Sequence, residues 1–135
     1  MSMNLRVIAP NRIVWNSQAE EIILSTNSGQ IGILPNHASL LTPISIGVLK
    51  IKSSKEWNNM AMMGGFAMIL NNEITILTND AEKASDIDLE EAQKGLTLAR
   101  VNLEKATGRK EKIQAQLAFW RAKARLDAVG GKTGI

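Results

Sequence analysis

The spacing of apolar residues changes once along the 135-residue chain, close to residue 86. Before that point, apolar residues alternate with polar ones in short runs rich in Ile, Val and Thr. After it, they recur every three or four residues among Ala, Leu, Glu and Lys. A period of two is typical of half-buried strands, and a period near 3.5 is typical of amphipathic helices. The pattern therefore predicts a β domain over 1–86 and a helical hairpin over 87–135.

Seven short runs in the first part are predicted strands: 5–8, 12–15, 21–25, 44–52, 57–63, 66–70 and 73–77. Strands at this spacing indicate an antiparallel sandwich or barrel. One face of the fourth run is expected to carry three branched side chains: Ile44, Ile46 and Val48. Asn71-Asn72 fits a two-residue hairpin turn because Asn tolerates positive φ. Gly64-Gly65 is expected to mark a bulge or a close crossing of sheets.

Two amphipathic helices are predicted in the second part. The first carries six apolar residues spaced alternately three and four apart: Leu89, Ala92, Leu96, Ala99, Leu103 and Ala106. The second carries four, spaced four, three and four apart: Ile113, Leu117, Trp120 and Ala124. Both stripes predict a coiled-coil-like seam. Asp88 and Glu91 fit a capping box at the start of the first helix.

The predicted hairpin turns at Thr107-Gly108 and ends at Gly130-Gly131. Its seam is narrow because Ala alternates with Leu, so the two helices alone bury little apolar area and are marginally stable. The two helices must therefore pack against the β domain or against another protein. We expect the hairpin to be a mobile element.

Charge is distributed unevenly between the two parts. Residues 1–86 carry six Lys and Arg against seven Asp and Glu, a net charge of −1, whereas residues 87–135 carry ten against six, a net charge of +4. Six of these cations lie on the predicted hairpin: Arg109, Lys110, Lys112, Arg121, Lys123 and Arg125. A one-sided basic segment fits an acidic protein surface or phosphate, and a solvated helix surface is the alternative interpretation.

The composition excludes several classes of site. Disulfides, thiolate zinc sites and thiol nucleophiles need Cys, which is absent, and His37 is the single imidazole. Neither a Walker A sequence nor a dinucleotide fingerprint is present. We therefore expect no catalytic residues, no metal and no cofactor. Gly29-x-x-Gly32 has the sequence motif of an RNA-clamping loop, but it lies between predicted strands, so we predict a tight turn there. His37 is expected to be a structural or partner-facing loop contact.

Three stretches resemble the epsilon subunit of F-type ATP synthases. They read IILSTNSGQIGILPNHA at 22–38, MGGF at 63–66 and NDAE at 79–82. The similarity covers the chain from about residue 5 to 128, and LPNHA is specific in that setting. The sequence of these stretches is most similar to that of chloroplast members, and cyanobacterial members are nearly as similar. The family fold is an N-terminal antiparallel β-sandwich followed by a helix hairpin, so the resemblance implies that architecture.

The resemblance implies a rotor subunit of the central stalk that couples proton flow through the c ring to ATP synthesis and does no chemistry itself. The sandwich is expected to bind the gamma subunit and the c ring through residues that match the family: Ser28, Gly29, Gln30, Ile31, Gly32, Leu34, Pro35, Asn36 and His37. The hairpin is expected to be regulatory. It can lie on the sandwich or extend along gamma toward the alpha and beta catalytic subunits, where it inhibits ATP hydrolysis.

One departure from the family concerns nucleotide. Members that bind ATP carry Ile-Asp-x-x-Arg-Ala at the start of the first helix, whereas this chain reads IDLEEA at 87–92 and places Glu91 where the Arg stands. A carboxylate there repels phosphate. Asp88, Arg121 and Arg125 match positions that hold nucleotide in the family. With Glu91 beside them, we expect weak ATP binding or none.

No run approaches the roughly 18 apolar residues of a membrane span, and the first residues do not read as a signal or transit peptide. Together with the resemblance, this predicts a peripheral subunit on the stromal side of the chloroplast thylakoid membrane. A cyanobacterial thylakoid is the alternative. The rotor interpretation predicts no nucleic-acid partner. Two other function classes stay open: a basic nucleic-acid-binding module, whose affinity falls steeply with salt, and a free two-domain chaperone or adaptor.

Overall fold

The computed structural model describes residues 2–130, in which eight strands precede two α-helices. The strands are β1 (Met3–Ala9), β2 (Arg12–Ala19), β3 (Glu21–Thr26), β4 (Gly29–Ile33), β5 (Leu40–Ser53), β6 (Glu56–Leu70), β7 (Glu73–Thr78) and β8 (Ala81–Lys83). A 3₁₀ turn (Ala84–Asp86) leads into α1 (Leu89–Lys105) and α2 (Arg109–Val129). Within this range no helix is long and apolar enough to cross a membrane.

Seven strands follow one hydrogen-bonded path in the order β2-β1-β7-β6-β5-β3-β4, and β8 pairs with β6. Neighbours are antiparallel except β1 and β7, which are parallel. Side chains from distant strands on this path, among them Val7, Ile22, Ile33 and Ile76, share one buried core. The sheet therefore folds over on itself, and the predicted sandwich is confirmed.

The predicted runs 57–63 and 66–70 belong to one strand, because β6 continues through Gly64-Gly65. Before these glycines, Met60 and Met62 point into the core, and after them Ala67 and Ile69 do. The side chains that point into the core thus stand at even-numbered positions before the glycines and at odd-numbered positions after them. The β5–β6 register does not shift anywhere along the pair, so no residue is inserted and the expected bulge is wrong. The glycines do allow a close approach to the neighbouring strand β7, since a Cβ at Gly65 would lie 1.9 Å from Leu77 O.

Strand β5 turns over at the same place. Ile44 lies in the core of the sandwich, whereas Ile46 and Val48 pack on the opposite face, against the helical hairpin. The prediction that these three residues share one face is therefore wrong. The physical reason is the pairing: Ile44 faces Gly65 and Ile46 faces Met63, so both strands rotate together while their register is kept.

Two short strands were missed by the periodicity. Gly29–Ile33 is strand β4 and not a tight turn, because the chain reverses one step earlier, at Asn27-Ser28. A strand with two glycines in five residues has too few side chains to show alternation. Ala81–Lys83, strand β8, is too short to show any period. The Asn71-Asn72 turn is confirmed, with φ of 51° and 63°.

Helix α1 begins as predicted, since Asp88 Oδ1 accepts a hydrogen bond from Glu91 N at 3.0 Å. Its seam is largely confirmed: Ala92 and Ala99 are buried, and Leu96 is half-buried. Leu89, in the first turn of α1, is exposed.

The predicted seam of α2 is wrong for three of its four residues. Ile113, Leu117 and Trp120 are 50%, 42% and 45% exposed, and only Ala124 is buried. Phe119, which stands 6.0 Å from the Arg100 guanidinium, lies on the side that faces α1. Helical spacing identified an apolar stripe but not the element that the stripe meets. Gly130 follows the helix as predicted, and Gly131 lies outside the described residues.

The hairpin packs on the outer face of β5 and β6 through α2, while α1 contacts α2. Six buried residues form this second apolar cluster: Ala61, Met63, Ile87, Ala92, Ala124 and Ala128. Four of the six are alanines, so the two surfaces approach closely but exclude little water per residue. The hairpin therefore rests on the sandwich through a narrow contact.

Replacing Gly65 by Ala is expected to lower the free energy of unfolding by more than about 3 kcal/mol. The new Cβ would overlap Leu77 O at 1.9 Å, and the φ of 142° is unfavourable for any L side chain. Gly95→Ala in α1 is the control: nothing lies within 4 Å of its Cβ, and it is expected to add about 0.5–1 kcal/mol. Urea unfolding of both variants tests this, and similar midpoints would contradict it.

The boundary at residue 86 stays a prediction, and the first core supports it because that core includes no residue after Ala81. A fragment 1–86 is expected to fold, with stability lower by about 2–4 kcal/mol because Ala61 and Met63 lose their cover. Circular dichroism and limited proteolysis of the whole chain measure this. An unfolded fragment would show that the two parts form one cooperative unit.

Candidate functional site

The nine residues predicted to bind partners lie in the β3–β4 turn, in strand β4 and in the loop that follows it. Ser28 is in the β3–β4 turn, where Thr26 Oγ1 accepts from Ser28 N at 3.2 Å and donates to Gly29 O at 2.7 Å. The stretch from Gly29 to Gly32 is in β4, the last strand on the hydrogen-bonded path. A Cβ at Gly29 or Gly32 would meet nothing within 4 Å, so backbone is accessible there.

The rest of the predicted site is the loop from β4 to β5, and it is tied to the β6–β7 turn. Asn36 N donates to Asn72 Oδ1 at 2.6 Å, and Asn72 Nδ2 donates to Asn36 Oδ1 at 3.2 Å. His37 N donates to Leu34 O at 3.2 Å, and its Nδ1 lies 2.7 Å from Ala38 O. His37 is thus a loop contact. These bonds hold Leu34, which is exposed, at the end of the sheet where β6 turns into β7.

An apolar face that the sequence interpretation missed extends from this end. Phe66 and Met68 on β6 are 55% and 48% exposed, and they pair with Leu77 and Leu41, which are 47% and 67% exposed. Leu70 continues the row. We call Leu41, Phe66, Met68, Leu70 and Leu77 the bare sheet face. A signal for it existed: residues 66–70 are apolar at every position, which is typical of a strand covered on both faces.

The bare sheet face continues the surface on which the hairpin rests. Outward side chains along β6 are Ala61 and Met63 before the glycines and Phe66 and Met68 after them. The first two are covered by α2, and the last two are not. A contiguous apolar surface of this kind is a mark of a protein interface. Half of the outer ribbon is therefore occupied within the chain, and half is available to a partner.

Helix α2 has a similar division. Ile113, Leu117, Trp120, Ala124 and Ala128 fall on one face by their spacing of four, three, four and four. Ala124 and Ala128 are buried on the sandwich, whereas the other three extend past it and are exposed. The N-terminal half of this apolar stripe is thus a second uncovered surface.

Three of the six predicted hairpin cations begin α2. Arg109, Lys110 and Lys112 lie in its first turn, and Gly108 precedes them without a side-chain cap. Cations at a helix N-terminus oppose the helix dipole, so helix stability does not account for them. In the described part of the chain, no carboxylate lies within 4 Å of these three or of Arg121. Their charge is available to an acidic surface.

Lys123 and Arg125 are paired within the chain. Lys123 Nζ lies 2.8 Å from Asp127 Oδ2 on the same exposed helix face. Arg125 Nη2 donates to Glu82 Oε2 at 3.3 Å, Arg125 Nε lies 3.0 Å from Glu82 Oε1 without hydrogen-bond alignment, and Nη1 lies 3.7 Å from Glu91 Oε1. Glu91 thus points to Arg125 and does not complete the predicted capping box.

The three residues matched to nucleotide contacts are used differently here. Asp88 caps α1, Arg125 is held by two carboxylates, and Arg121 is exposed. The structure brings Arg125 together with Glu82 and Glu91. An anion at Arg125 would have to displace them, which supports the expectation of weak ATP binding.

A cleft of about 250 Å³ lies where the end of α2 meets the sandwich. Trp15, Trp57, Ser85 and Val129 line it, and Lys83 Nζ stands 5.8 Å from the Trp15 ring centre. It contains no pair of acids and no nucleophile–base arrangement. Across residues 2–130 no group of three or more metal-ligating side chains occurs.

Family models and relatives agree with this architecture. The model of the ATP synthase delta/epsilon chain β-sandwich domain matches residues 2–84, and that of the delta/epsilon chain long α-helix domain matches residues 85–130. The chloroplastic ATP synthase epsilon chain of Staurastrum punctulatum is 67% identical over 129 residues, covering 96% of this chain and 94% of the relative. That of Chaetosphaeridium globosum is 62% identical over 135 residues, covering 100% and 99%.

Solved structures show the same fold at lower identity. A chain in the Euglena gracilis mitochondrial ATP synthase OSCP/F1/c-ring structure superposes with a TM-score of 0.81 and 22% identity, covering 94% of this chain and 80% of that one. A chain in the Tetrahymena thermophila mitochondrial ATP synthase central stalk and c-ring structure gives a TM-score of 0.66 and 16% identity, covering 96% and 97%.

Proposed function

Because the chain belongs to the delta/epsilon family of ATP synthase chains, as an epsilon chain, we propose that it acts in the rotor and transmits torque between the c ring and the central stalk. It is a non-catalytic subunit of the complex that makes ATP from ADP and phosphate. The observation that carries the rotor role is the bare sheet face, which continues the surface occupied by the hairpin and ends beside the 28–37 segment. The nucleic-acid-binding alternative has no support from the relatives.

The sandwich is the part that binds the stalk. The loop at Leu34–His37 and the edge strand β4 meet the gamma subunit and the c ring, and the bare sheet face is covered by gamma. Support comes from the loop's two hydrogen bonds to Asn72, which fix it beside the exposed end of β6. A preformed loop next to an apolar face suits permanent assembly, because little order has to be gained on binding.

The hairpin is the regulatory part and inhibits ATP hydrolysis when it reaches the alpha and beta subunits. In the structure the hairpin is docked, that is, it lies on the sandwich. Four of its cations then have no carboxylate partner within the described chain and are available to acidic loops: Arg109, Lys110, Lys112 and Arg121. Lys123 is paired with Asp127 inside α2 in either arrangement. Arg125 is engaged by Glu82 and Glu91, and it joins the other four only when the hairpin leaves the sandwich.

The relatives are chloroplastic epsilon chains, which supports a chloroplast location for this chain. The finer location that we propose is the stromal side of the thylakoid membrane, which the chain reaches as a peripheral part of the complex.

Removing the apolar side chains of the bare sheet face is expected to weaken binding to the stalk. The double variant Phe66→Ser and Met68→Ser should raise the Kd for epsilon-depleted ATP synthase at least about tenfold, since burying one large apolar side chain contributes about 1.5–3 kcal/mol. Leu98→Ser is the matched control, because Leu98 is 62% exposed but lies on the back of α1. Equal affinity of the double variant and the control would contradict the proposed docking face.

Removing the unpaired hairpin cations is expected to relieve inhibition without weakening binding. The triple variant Lys110→Gln, Lys112→Gln and Arg121→Gln should bind epsilon-depleted ATP synthase within about twofold of the wild type, while ATP hydrolysis rises at low ionic strength and the difference shrinks with added salt. The control variant Lys50→Gln, Lys52→Gln and Lys55→Gln removes the same charge from the sandwich. Unchanged inhibition by the hairpin variant at low salt would show that shape or apolar contact blocks hydrolysis.

A further inference from the structure

The buried centre of the contact between hairpin and sandwich is made mostly of small side chains, and larger ones such as Val48 and Leu126 pack around it only partly buried. Ala92, Ala124 and Ala128 face Ala61 and Met63 across it. Alanine methyl groups bury little area, so the centre of this contact contributes modestly to the stability of the docked arrangement, in which the hairpin lies on the sandwich. Any additional interaction that joins the two parts therefore has a large influence on whether the hairpin stays docked.

Arg125 joins three elements beside this contact. It lies on α2, Glu82 lies on β8 of the sandwich, and Glu91 lies on α1. The guanidinium contacts Glu82 through two nitrogens, at 3.0 and 3.3 Å, and Glu91 through the third, at 3.7 Å. The other four ion pairs among the described residues include no second link between α2 and the sandwich.

Burial makes this link stronger than a surface ion pair. The side chains of Arg125 and Glu82 are 26% and 28% exposed, whereas Glu91 is 69% exposed. Partly buried pairs are screened less by salt than exposed ones. Removing one partner leaves the other charge poorly solvated, which costs more than the loss of an exposed pair. Glu82 is therefore the main partner and Glu91 the auxiliary one.

We propose that Arg125, Glu82 and Glu91 form an internal charge clamp that holds the hairpin on the sandwich with the two carboxylates in the place of any bound anion. The clamp acts in the isolated chain, so its test does not depend on the proposed role in the rotor. In the docked state the charge of Arg125 is paired with the chain's own carboxylates. Undocking has to separate Arg125 from Glu82 and return both charges to water.

The absence of Cys allows a direct measurement of docking. Ser17→Cys on β2 and Gln114→Cys on α2, both exposed positions, take a pair of spin labels, and the distance distribution in the full-length chain gives the ratio of undocked to docked hairpin. Glu82→Gln and Arg125→Gln are each expected to raise that ratio at least about tenfold. Glu91→Gln should raise it less. Millimolar ATP should leave the wild-type ratio unchanged.

Lys123→Gln is the matched control, because it breaks an ion pair of similar length that lies within α2 and joins nothing to the sandwich. It should change the ratio by less than about twofold. The charge-exchanged double variant Glu82→Arg with Arg125→Glu should return the ratio toward the wild type. The clamp is wrong if Glu82→Gln changes the ratio no more than the control does, or if the charge exchange does not restore it. A rise in the docked fraction on adding ATP would show that the two carboxylates do not take the place of a bound anion.

Discussion

Strands β5 and β6 stay paired in one register along their length, yet at Gly64-Gly65 the pair turns its side chains over. The backbone at this point is fixed from the next strand: Thr78 Oγ1 donates to Gly64 O at 2.6 Å, and Met63 N bonds Asp80 O at 2.9 Å. Thr78 is the one polar residue that is buried within the described chain. Without this turn, one half of the ribbon would carry its core residues on the outside. The closed sandwich therefore depends on it.

The same turn creates the surfaces that the protein uses. Because the core takes one set of positions on each side of the glycines, the complementary set lies outward, and near the glycines it is apolar: Ile46, Val48, Ala61 and Met63 on one side, Leu41, Phe66 and Met68 on the other. The chain covers one half of that outward surface with Ala124 and Ala128 of its own helix. The other half, around Phe66 and Met68, stays exposed and has the apolar character of an interface. One ribbon thus holds the helical hairpin and carries the apolar face that we propose docks to the rotor.

Apolar packing and charge contribute differently to holding the hairpin on the sandwich. The apolar contact is narrow and tolerates separation, while Arg125 provides a specific, partly buried link to Glu82. Towards the tip, Arg109, Lys110 and Lys112 oppose the dipole of their own helix and find no internal partner in the described structure. Stability of the docked form explains Arg125 but not these tip cations. Their placement fits the proposed contact with an acidic partner.

The sequence by itself determined the order of elements, the Asn71-Asn72 turn, the Asp88 cap and the seam of α1, because each depends on residues a few positions apart. The family also followed from local sequence. Tertiary structure alone decided that Ile44 and Ile46 face opposite ways, that Ile113, Leu117 and Trp120 extend into solvent, and that Arg125 meets Glu82 across 43 positions of sequence. Periodicity states which side chains share a face. What that face meets depends on contacts between residues far apart in the chain, and those contacts leave no local pattern.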